Sequence, residues 1–452
     1  MPPRCLLRTS LCTSLCLGLA APLVACSSEP DPAALPDAAV APADAPAGCP
    51  APSGAGTTHA TWPAADETWT AEGSPHLVTS NLTIAAGITL TIAPCARVEL
   101  MPATSVLVVG TLRAEGTASA PIFFERADPV LPWGTIEARE GARVQLAYVD
   151  LTHGGADGGP MLDIRGDQEM APQPILRVDH VAVRDAGAIG VVVREGAGFA
   201  PASSDLTITG ASSFPLSIWG RSAGSVPIGA YTGNGTDAIL LPAIGGLDNI
   251  QEDTTIADRG VPYRVGTASN SLLGVRGPGA PVLTVAAGVT LQFVDGARLL
   301  VDARTSGLGG ALVVAGTAAV PVTFTSASAT PAAGRWVGLV LLGAQDPRNA
   351  ITHARIAYAG GESQISSYDC PSPANPGFAN NGAVVIAGGQ PAGAFITSTT
   401  IEASAGDGVV RGWTGAVIDL MPTNTFTSVA RCHQTYPRPT SGSCPAPAPC
   451  PQ

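Results

Sequence analysis

The chain repeats a short apolar pattern at long range, and this repeat limits the folds it can adopt. Residues 83–90 read Thr-Ile-Ala-Ala-Gly-Ile-Thr-Leu, and residues 284–291, an offset of 201, read Thr-Val-Ala-Ala-Gly-Val-Thr-Leu. Self-similarity of this kind is the signature of repeat architectures, in which like units stack on one another. The sequence therefore predicts two tandem pseudo-repeats, at 59–249 and 250–436.

Each pseudo-repeat consists of short apolar runs in which buried and solvated positions alternate, as at Leu82 and Ile84 and at Val98 and Leu100. Gly (53 residues) and Pro (41) separate these runs, and no long stretch has helical periodicity. The Asn-Gly and Asp-Gly dipeptides that mark hairpins are sparse, so stacked parallel coils are favoured over a sandwich. We expect an all-β chain that forms one continuous solenoid, with strands at 82–85, 89–92, 97–100, 106–109 and 122–124.

Several short motifs recur in this framework: Val-Val-x-Gly-Thr at 313–317, Ala/Val-Pro-Ile/Val-x-Phe at 120–124 and 320–324, and Trp-Gly-x-Ile from Trp133. Over most of residues 59–430 the chain resembles the right-handed parallel β-helix repeat proteins of bacterial surface lipoproteins, with pectate-lyase-like architecture. The resemblance implies a right-handed parallel β-helix. It implies little about function, because a shared fold does not carry a shared chemistry.

The N-terminus has the features of an export signal. Arg4 and Arg8 precede an apolar stretch at 11–23 that is too short to span a membrane. The stretch ends in Leu-Val-Ala-Cys, which resembles the lipobox of bacterial lipoproteins; the alternative is an ordinary cleaved signal peptide. The resemblance implies that residues 1–26 form a lipoprotein signal peptide with its lipobox, cleaved immediately before Cys26. Cys26 then becomes the first mature residue and carries the acyl chains.

An Ala/Pro/Asp-rich segment at 27–58 has no apolar periodicity, and we expect it to be a disordered linker. The predicted location is the cell envelope, anchored to a membrane by lipid. The residue after the cysteine is Ser27, and in this position the chain resembles lipoproteins that are sorted to the outer membrane.

The charge balance excludes one class of partner. The net charge is −12, and all 23 basic residues are arginines without a basic cluster. Binding to nucleic acid depends on neutralising phosphates, so no nucleic-acid partner is expected.

Six cysteines remain outside the predicted signal and lipid site, an even number in an oxidising compartment. No pair has the close spacing of a zinc knuckle, so disulfides are favoured over a metal site. Of the fifteen possible connectivities we expect the pairs Cys49–Cys95, Cys370–Cys432 and Cys444–Cys450, the last within a Pro/Cys-rich tail at 437–452.

The local motifs for chemistry are weak. Ser222 lies in a Gly-x-Ser-x-Gly sequence, but the Pro and Gly that follow it do not open the helix that a nucleophile elbow needs.

The most polar cluster comprises Asp150, His153 and Asp157, which could act as acid, base or metal ligand; a turn with solvated side chains is the favoured alternative. Asp179-His180 and Arg184-Asp185 either line an outer groove or form the solvated face of a coil. We predict no catalytic residue, no cofactor and no metal ligand.

These features predict a non-catalytic surface lipoprotein that binds a glycan or a protein through the flank of the solenoid. The alternative is a carbohydrate-active enzyme, either a polysaccharide lyase or a glycoside hydrolase. A cluster of carboxylates with arginine on one exposed sheet face would favour the enzyme, because a solenoid assembles its sites across coils.

Overall fold

The computed structural model describes residues 48–52, 54–446 and 450, which belong to one compact unit. The predicted signal peptide, the lipid site at Cys26 and most of the predicted linker lie outside the described residues. Within the described part, no helix is both long enough and apolar enough to cross a membrane.

Thirty-five short strands and four 3₁₀ turns make up the described chain. The first nineteen strands are β1 Thr57–His59, β2 Glu67–Trp69, β3 His76–Val78, β4 Leu82–Ile84, β5 Thr89–Ile92, β6 Arg97–Leu100, β7 Val106–Val108, β8 Thr111–Glu115, β9 Ile122–Arg126, β10 Ile136–Ala138, β11 Arg143–Thr152, β12 Leu162–Arg165, β13 Gln173–Arg184, β14 Val191–Arg194, β15 Ala197–Phe199, β16 Ser204–Thr209, β17 Leu216–Ile218, β18 Gly229–Ala230 and β19 Ile239–Leu241.

The remaining strands are β20 Thr254–Ile256, β21 Tyr263–Val265, β22 Leu272–Val275, β23 Val282–Ala286, β24 Thr290–Phe293, β25 Arg298–Ala303, β26 Ala311–Ala315, β27 Val322–Ser326, β28 Gly338–Gly343, β29 Ala350–Thr352, β30 Ala354–Ala357, β31 Gly382–Gly388, β32 Ile396–Thr397, β33 Thr400–Glu402, β34 Asp407–Trp413 and β35 Thr425–Thr427. The 3₁₀ turns are Ala71–Gly73, Ala156–Gly158, Gly220–Ser225 and Gly246–Asp248.

The strands stack in parallel from one coil to the next and form four sheets. Sheet 1 contains twelve of the first eighteen strands, and sheet 2 runs over thirteen strands from β4 to β35. Sheet 3 (β20, β23, β26, β29, β32) and sheet 4 (β22, β25, β28, β31, β34) complete the later coils. This all-β arrangement of long parallel sheets is consistent with a β-helix-like solenoid, as the strand pattern predicted.

Sheet 2 links the two predicted pseudo-repeats without a break. Strand β19 of the first pairs in parallel with β21 of the second, with Ile239 opposite Tyr263. One cluster of buried apolar side chains extends from Trp69 to Leu420. The expectation of one continuous stack rather than two separate cores is therefore met.

The long-range sequence repeat does not place matching segments on the same sheet. Strand β5, which contains Leu90, belongs to sheet 1, whereas β24, which contains Leu291, belongs to sheet 2. Both leucines are nevertheless buried. The repeat thus specifies which side chains point inward, and it does not specify which face of the coil they serve.

The outer face of sheet 4 carries a second apolar layer that the alternation pattern does not predict. Strands β28, β31 and β34 are buried on both faces. Val340, Val385 and Val410 form a stripe across this face, and Ile365 from the segment between β30 and β31 packs against it. This inserted segment therefore acts as a cover for sheet 4.

The disulfides correct two of the three predicted pairs. Cys49 bonds Cys95, as expected. Cys370 bonds Cys444, and Cys432 bonds Cys450, so the pairs Cys370–Cys432 and Cys444–Cys450 are wrong.

Each of the two corrected bonds ties the C-terminal tail to an earlier segment. The tail also forms backbone bridges from Pro437 to Asp369 and from Arg438 to Thr414. It belongs to the folded end of the stack rather than forming a separate small loop. At the other end, β1 begins at Thr57, inside the predicted linker.

Candidate functional site

A column of corner residues on sheet 1 forms the candidate site. Tyr148, His180 and Asp205 have φ of 49°, 53° and 50°, respectively. Each follows one of three residues that pair in register, Ala147, Asp179 and Ser204. A left-handed residue at the same position of successive coils bends each strand alike, so the three side chains lie one above another at the surface.

The column is ordered by contacts between its members. The rings of Tyr148 and His180 stack with centroids 4.5 Å apart and an interplanar angle of 10°. The His180 Nδ1 lies 2.8 Å from an Asp179 carboxylate oxygen, and the His180 Nε2 lies 3.3 Å from Asp205 Oδ2. Each ring nitrogen of the imidazole therefore lies beside a carboxylate, and Tyr148 stacks on one face of the ring.

Asp179 has further partners that fix its carboxylate. The Ser204 hydroxyl donates to Asp179 Oδ1 over 3.2 Å, and the Arg177 guanidinium lies 3.8 Å from Oδ2. The hydrogen bond from His180 is the main reason that the pKa of Asp179 lies below its ordinary value. Asp179 is thus an ionised acceptor at neutral pH.

A second column follows at the end of the same strands. His153 and Asp185 also have positive φ, and Gly210 continues the column in the next coil. The backbone N–H of His153 donates to Arg184, and that of Asp185 donates to Thr209. His153 Nε2 lies 3.7 Å from Asp185 Oδ2.

The structure separates the predicted polar cluster. Asp150 pairs with Arg184 of the next coil, His153 faces Asp185, and Asp157 lies exposed on a 3₁₀ turn. Burial raises the pKa of Asp150 against the opposing effect of Arg184. These contacts join Asp150 and His153 each to a residue about thirty positions later, and neither contact joins two of the three residues to each other.

Carboxylate–arginine clusters do lie on the outer sheet faces. On sheet 2, Asp163 accepts hydrogen bonds from both Arg165 and Arg194, at 2.7–3.1 Å. On sheet 4, Arg304 donates to both oxygens of Asp302 and lowers its pKa. Both carboxylates are hydrogen-bonded to arginine, and the lowered pKa of Asp302 keeps that group ionised at neutral pH.

The Gly-x-Ser-x-Gly segment has no nucleophile geometry. Ser222 lies in the 3₁₀ turn Gly220–Ser225 rather than between a strand and an α-helix, and it is buried. Its Oγ has no hydrogen-bond partner. The neighbouring Arg221 side chain donates to the backbone carbonyls of Gln168, Met170 and Leu247 and so joins three turns.

No protein-family model, curated protein or solved structure matches the chain.

Proposed function

We propose that the mature protein is an exported, non-catalytic lipoprotein that binds a neutral or basic glycan, or a protein, through the outer face of sheet 1. The observation that supports this proposal most is the Tyr148–His180 stack on sheet 1, whose ring centroids lie 4.5 Å apart beside the carboxylates of Asp179 and Asp205. The carboxylate–arginine clusters at Asp163 and Asp302 are the feature expected of the enzyme alternative. A general acid needs a carboxyl group whose pKa is raised towards neutrality. At Asp302 the hydrogen bonds from Arg304 instead lower the pKa of the carboxyl group, which argues against that role there.

The Tyr148–His180 pair supports a glycan ligand. Stacked rings at a surface offer apolar area and polar edges together, which suits the face of a sugar ring. Asp179 and Asp205 beside the pair can accept hydrogen bonds from sugar hydroxyls. The net charge of −12 disfavours polyuronates as ligands, because like charges repel.

This proposal can be tested with purified residues 27–452. Their binding is measured on a panel of immobilised neutral, basic and acidic polysaccharides, with and without calcium. Tyr148→Asn should weaken the binding at least tenfold, because Asn tolerates the left-handed backbone but lacks the ring. Tyr358→Asn is the matched control, since Tyr358 is also a left-handed corner residue, with φ of 64°. Steady release of unsaturated or reducing ends would replace the proposal with the lyase or hydrolase alternative.

The lipid anchor is part of the same proposal and rests on the Leu-Val-Ala-Cys sequence. Two or more acyl chains on Cys26 would hold the chain at a membrane without a spanning helix. Replacing Cys26 with Ala should move the protein from the membrane fraction to the soluble fraction. Unchanged membrane association would contradict the anchor.

We also propose that the solenoid is right-handed and arose by tandem duplication. The support is the motif resemblance and the agreement of residues 83–90 with residues 284–291. A crystal structure with left-handed coils would refute the handedness.

A further inference from the structure

Both ring nitrogens of His180 face carboxylates, with Nδ1 2.8 Å from Asp179 and Nε2 3.3 Å from Asp205. A neutral imidazole has one N–H, so it can donate to only one of its two neighbours, Asp179 and Asp205. The other contact then sets a nitrogen lone pair against an anionic oxygen. Such a contact is favourable only when a proton or a metal ion lies between the nitrogen and the carboxylate oxygen.

Contacts around the ring indicate which nitrogen is free. The shorter distance, 2.8 Å from Nδ1 to Asp179, is that of a hydrogen bond, and Ser204 and Arg177 hold the same carboxylate in place. A histidine that binds a metal commonly donates its other N–H to a carboxylate in this way, which fixes the tautomer. Nε2 is therefore the free nitrogen, and it faces Asp205.

The remaining distance, from His180 Nε2 to Asp205 Oδ2, is also compatible with a shared metal ion. Tetrahedral zinc with Zn–N and Zn–O bonds of about 2.1 Å separates two of its ligand atoms by about 3.4 Å. The separation of His180 Nε2 and Asp205 Oδ2 is 3.3 Å. The ligand atoms of Asp179, His180 and Asp205 all lie within 4.8 Å of one another.

We propose that His180 Nε2 and Asp205 Oδ2 bind a divalent transition-metal ion of the zinc class, with Asp179 as the outer partner that orients the imidazole. Imidazole nitrogen with carboxylate oxygen is a donor set that suits zinc and its neighbours. Both ligands are exposed, so water completes the coordination. The ion would share His180 and Asp205 with the proposed glycan site, but its binding needs only these side chains and can be measured without any glycan.

Titration of EDTA-treated residues 27–452 with ZnCl₂ by isothermal calorimetry tests the site, and Co²⁺ absorption spectra give a second readout. His180→Asn and Asp205→Asn should each reduce the zinc stoichiometry by one ion, because each removes a proposed ligand. Asn is chosen because it is tolerated in a left-handed position, so both variants should fold. Asp179→Asn should leave the stoichiometry unchanged but lower the zinc affinity of this site by about 10- to 100-fold, as loss of the partner that orients a ligand usually does.

Other histidines require a control. His59 and His76 lie with ring nitrogens 3.0 Å apart and could bind zinc themselves, so the change between wild type and variant is the quantity that counts. His353→Asn, another left-handed histidine, should leave the stoichiometry unchanged.

Two results would overturn the proposal. The first is the same zinc stoichiometry in wild type, His180→Asn and Asp205→Asn. The second is no saturable binding by the wild type up to about 1 mM zinc, the range of the weakest specific complexes. In the second case the cation between His180 and Asp205 would be a proton only.

Discussion

Buried Asp407 should make the C-terminal end of the stack less stable as pH rises. Its side chain is 0% exposed, and Oδ1 accepts the backbone N–H of Cys432 over 3.1 Å. Oδ2 is buried without a hydrogen-bond partner. Burial raises the pKa of Asp407 to about 7, and neighbouring Asp369 adds to the effect.

The direction follows from the raised pKa. Below the ordinary value of 3.8 both the folded and the unfolded chain hold the proton, and the full stability is present. Between 3.8 and about 7 the unfolded chain ionises first, so the stability falls as pH rises. A difference of this size corresponds to at most about 4 kcal/mol, or about a thousandfold in an opening equilibrium.

Hydrogen exchange of β34 measures this loss locally, which suits a solenoid whose ends can open separately. Asp407→Asn keeps the shape and removes the ionisation. Relative to wild type, its protection factors should rise by at least tenfold, and at most about a thousandfold, from pH 4 to pH 8.5.

Asp237 provides a control of opposite sign, because N–H donors from Asn234 and Gly233 lower its pKa. Asp237→Asn should reduce local protection at pH 8.5 and not at the lowest pH. A ratio of Asp407→Asn to wild-type protection that does not change with pH would refute the reasoning.

Two further predictions concern the core and the first coil. Trp336→Ala should lower the free energy of unfolding, measured by urea denaturation, by about 3–5 kcal/mol, because Trp336 is fully buried and its ring lies 4.2 Å from that of Phe293. Trp62→Ala, at an exposed position, should change it by under about 0.5 kcal/mol. Equal effects of the two substitutions would contradict this packing. His59 and His76 share a 3.0 Å hydrogen bond, and burial lowers the pKa of both, so stability is present above their ordinary pKa of 6.5 and lost as pH falls further. After correction for the intrinsic rate, hydrogen exchange of β1–β3 should be faster at pH 5 than at pH 7.5. The difference should be smaller in His59→Gln. An equal pH response of wild type and variant would refute the coupling.

Alternation was sufficient to predict strands that have one wet face. The predicted strands at 89–92 and 97–100 are β5 and β6 with the same bounds, and their apolar residues point inward. Such strands need only a core on one side, so the sequence pattern and the packing agree.

Alternation fails where a strand is covered on both faces. Strand β31 reads Gly-Ala-Val-Val-Ile-Ala-Gly, and all but its last residue are buried. An unbroken apolar run of this kind is the signal of a strand with two buried faces, and it was present in the sequence. What the sequence does not show is the cover, because the segment with Ile365 has no periodicity of its own.

The disulfide pairing failed for a related reason. Cys370 and Cys432 are both buried near the end of the stack, so their proximity was a reasonable expectation. Their partners Cys444 and Cys450 lie in a Pro-rich tail whose path depends on backbone pairing with Asp369 and Thr414. The number and spacing of six cysteines are compatible with all fifteen pairings, so the sequence does not select one of them.

The candidate site was hidden for a reason inherent in the fold. His180 and Asp205 are 25 residues apart, and Tyr148 and His180 are 32 apart, because coils differ in length. No fixed spacing therefore identifies a column, and each coil contributes a single residue to it. A search for local motifs finds clusters such as Asp150 and His153, whose side chains instead pair with the following coil. The positions that can be predicted in such a chain are those where an Asp, His or Asn interrupts an alternating run, as His180 does inside β13, since these residues tolerate the left-handed bend.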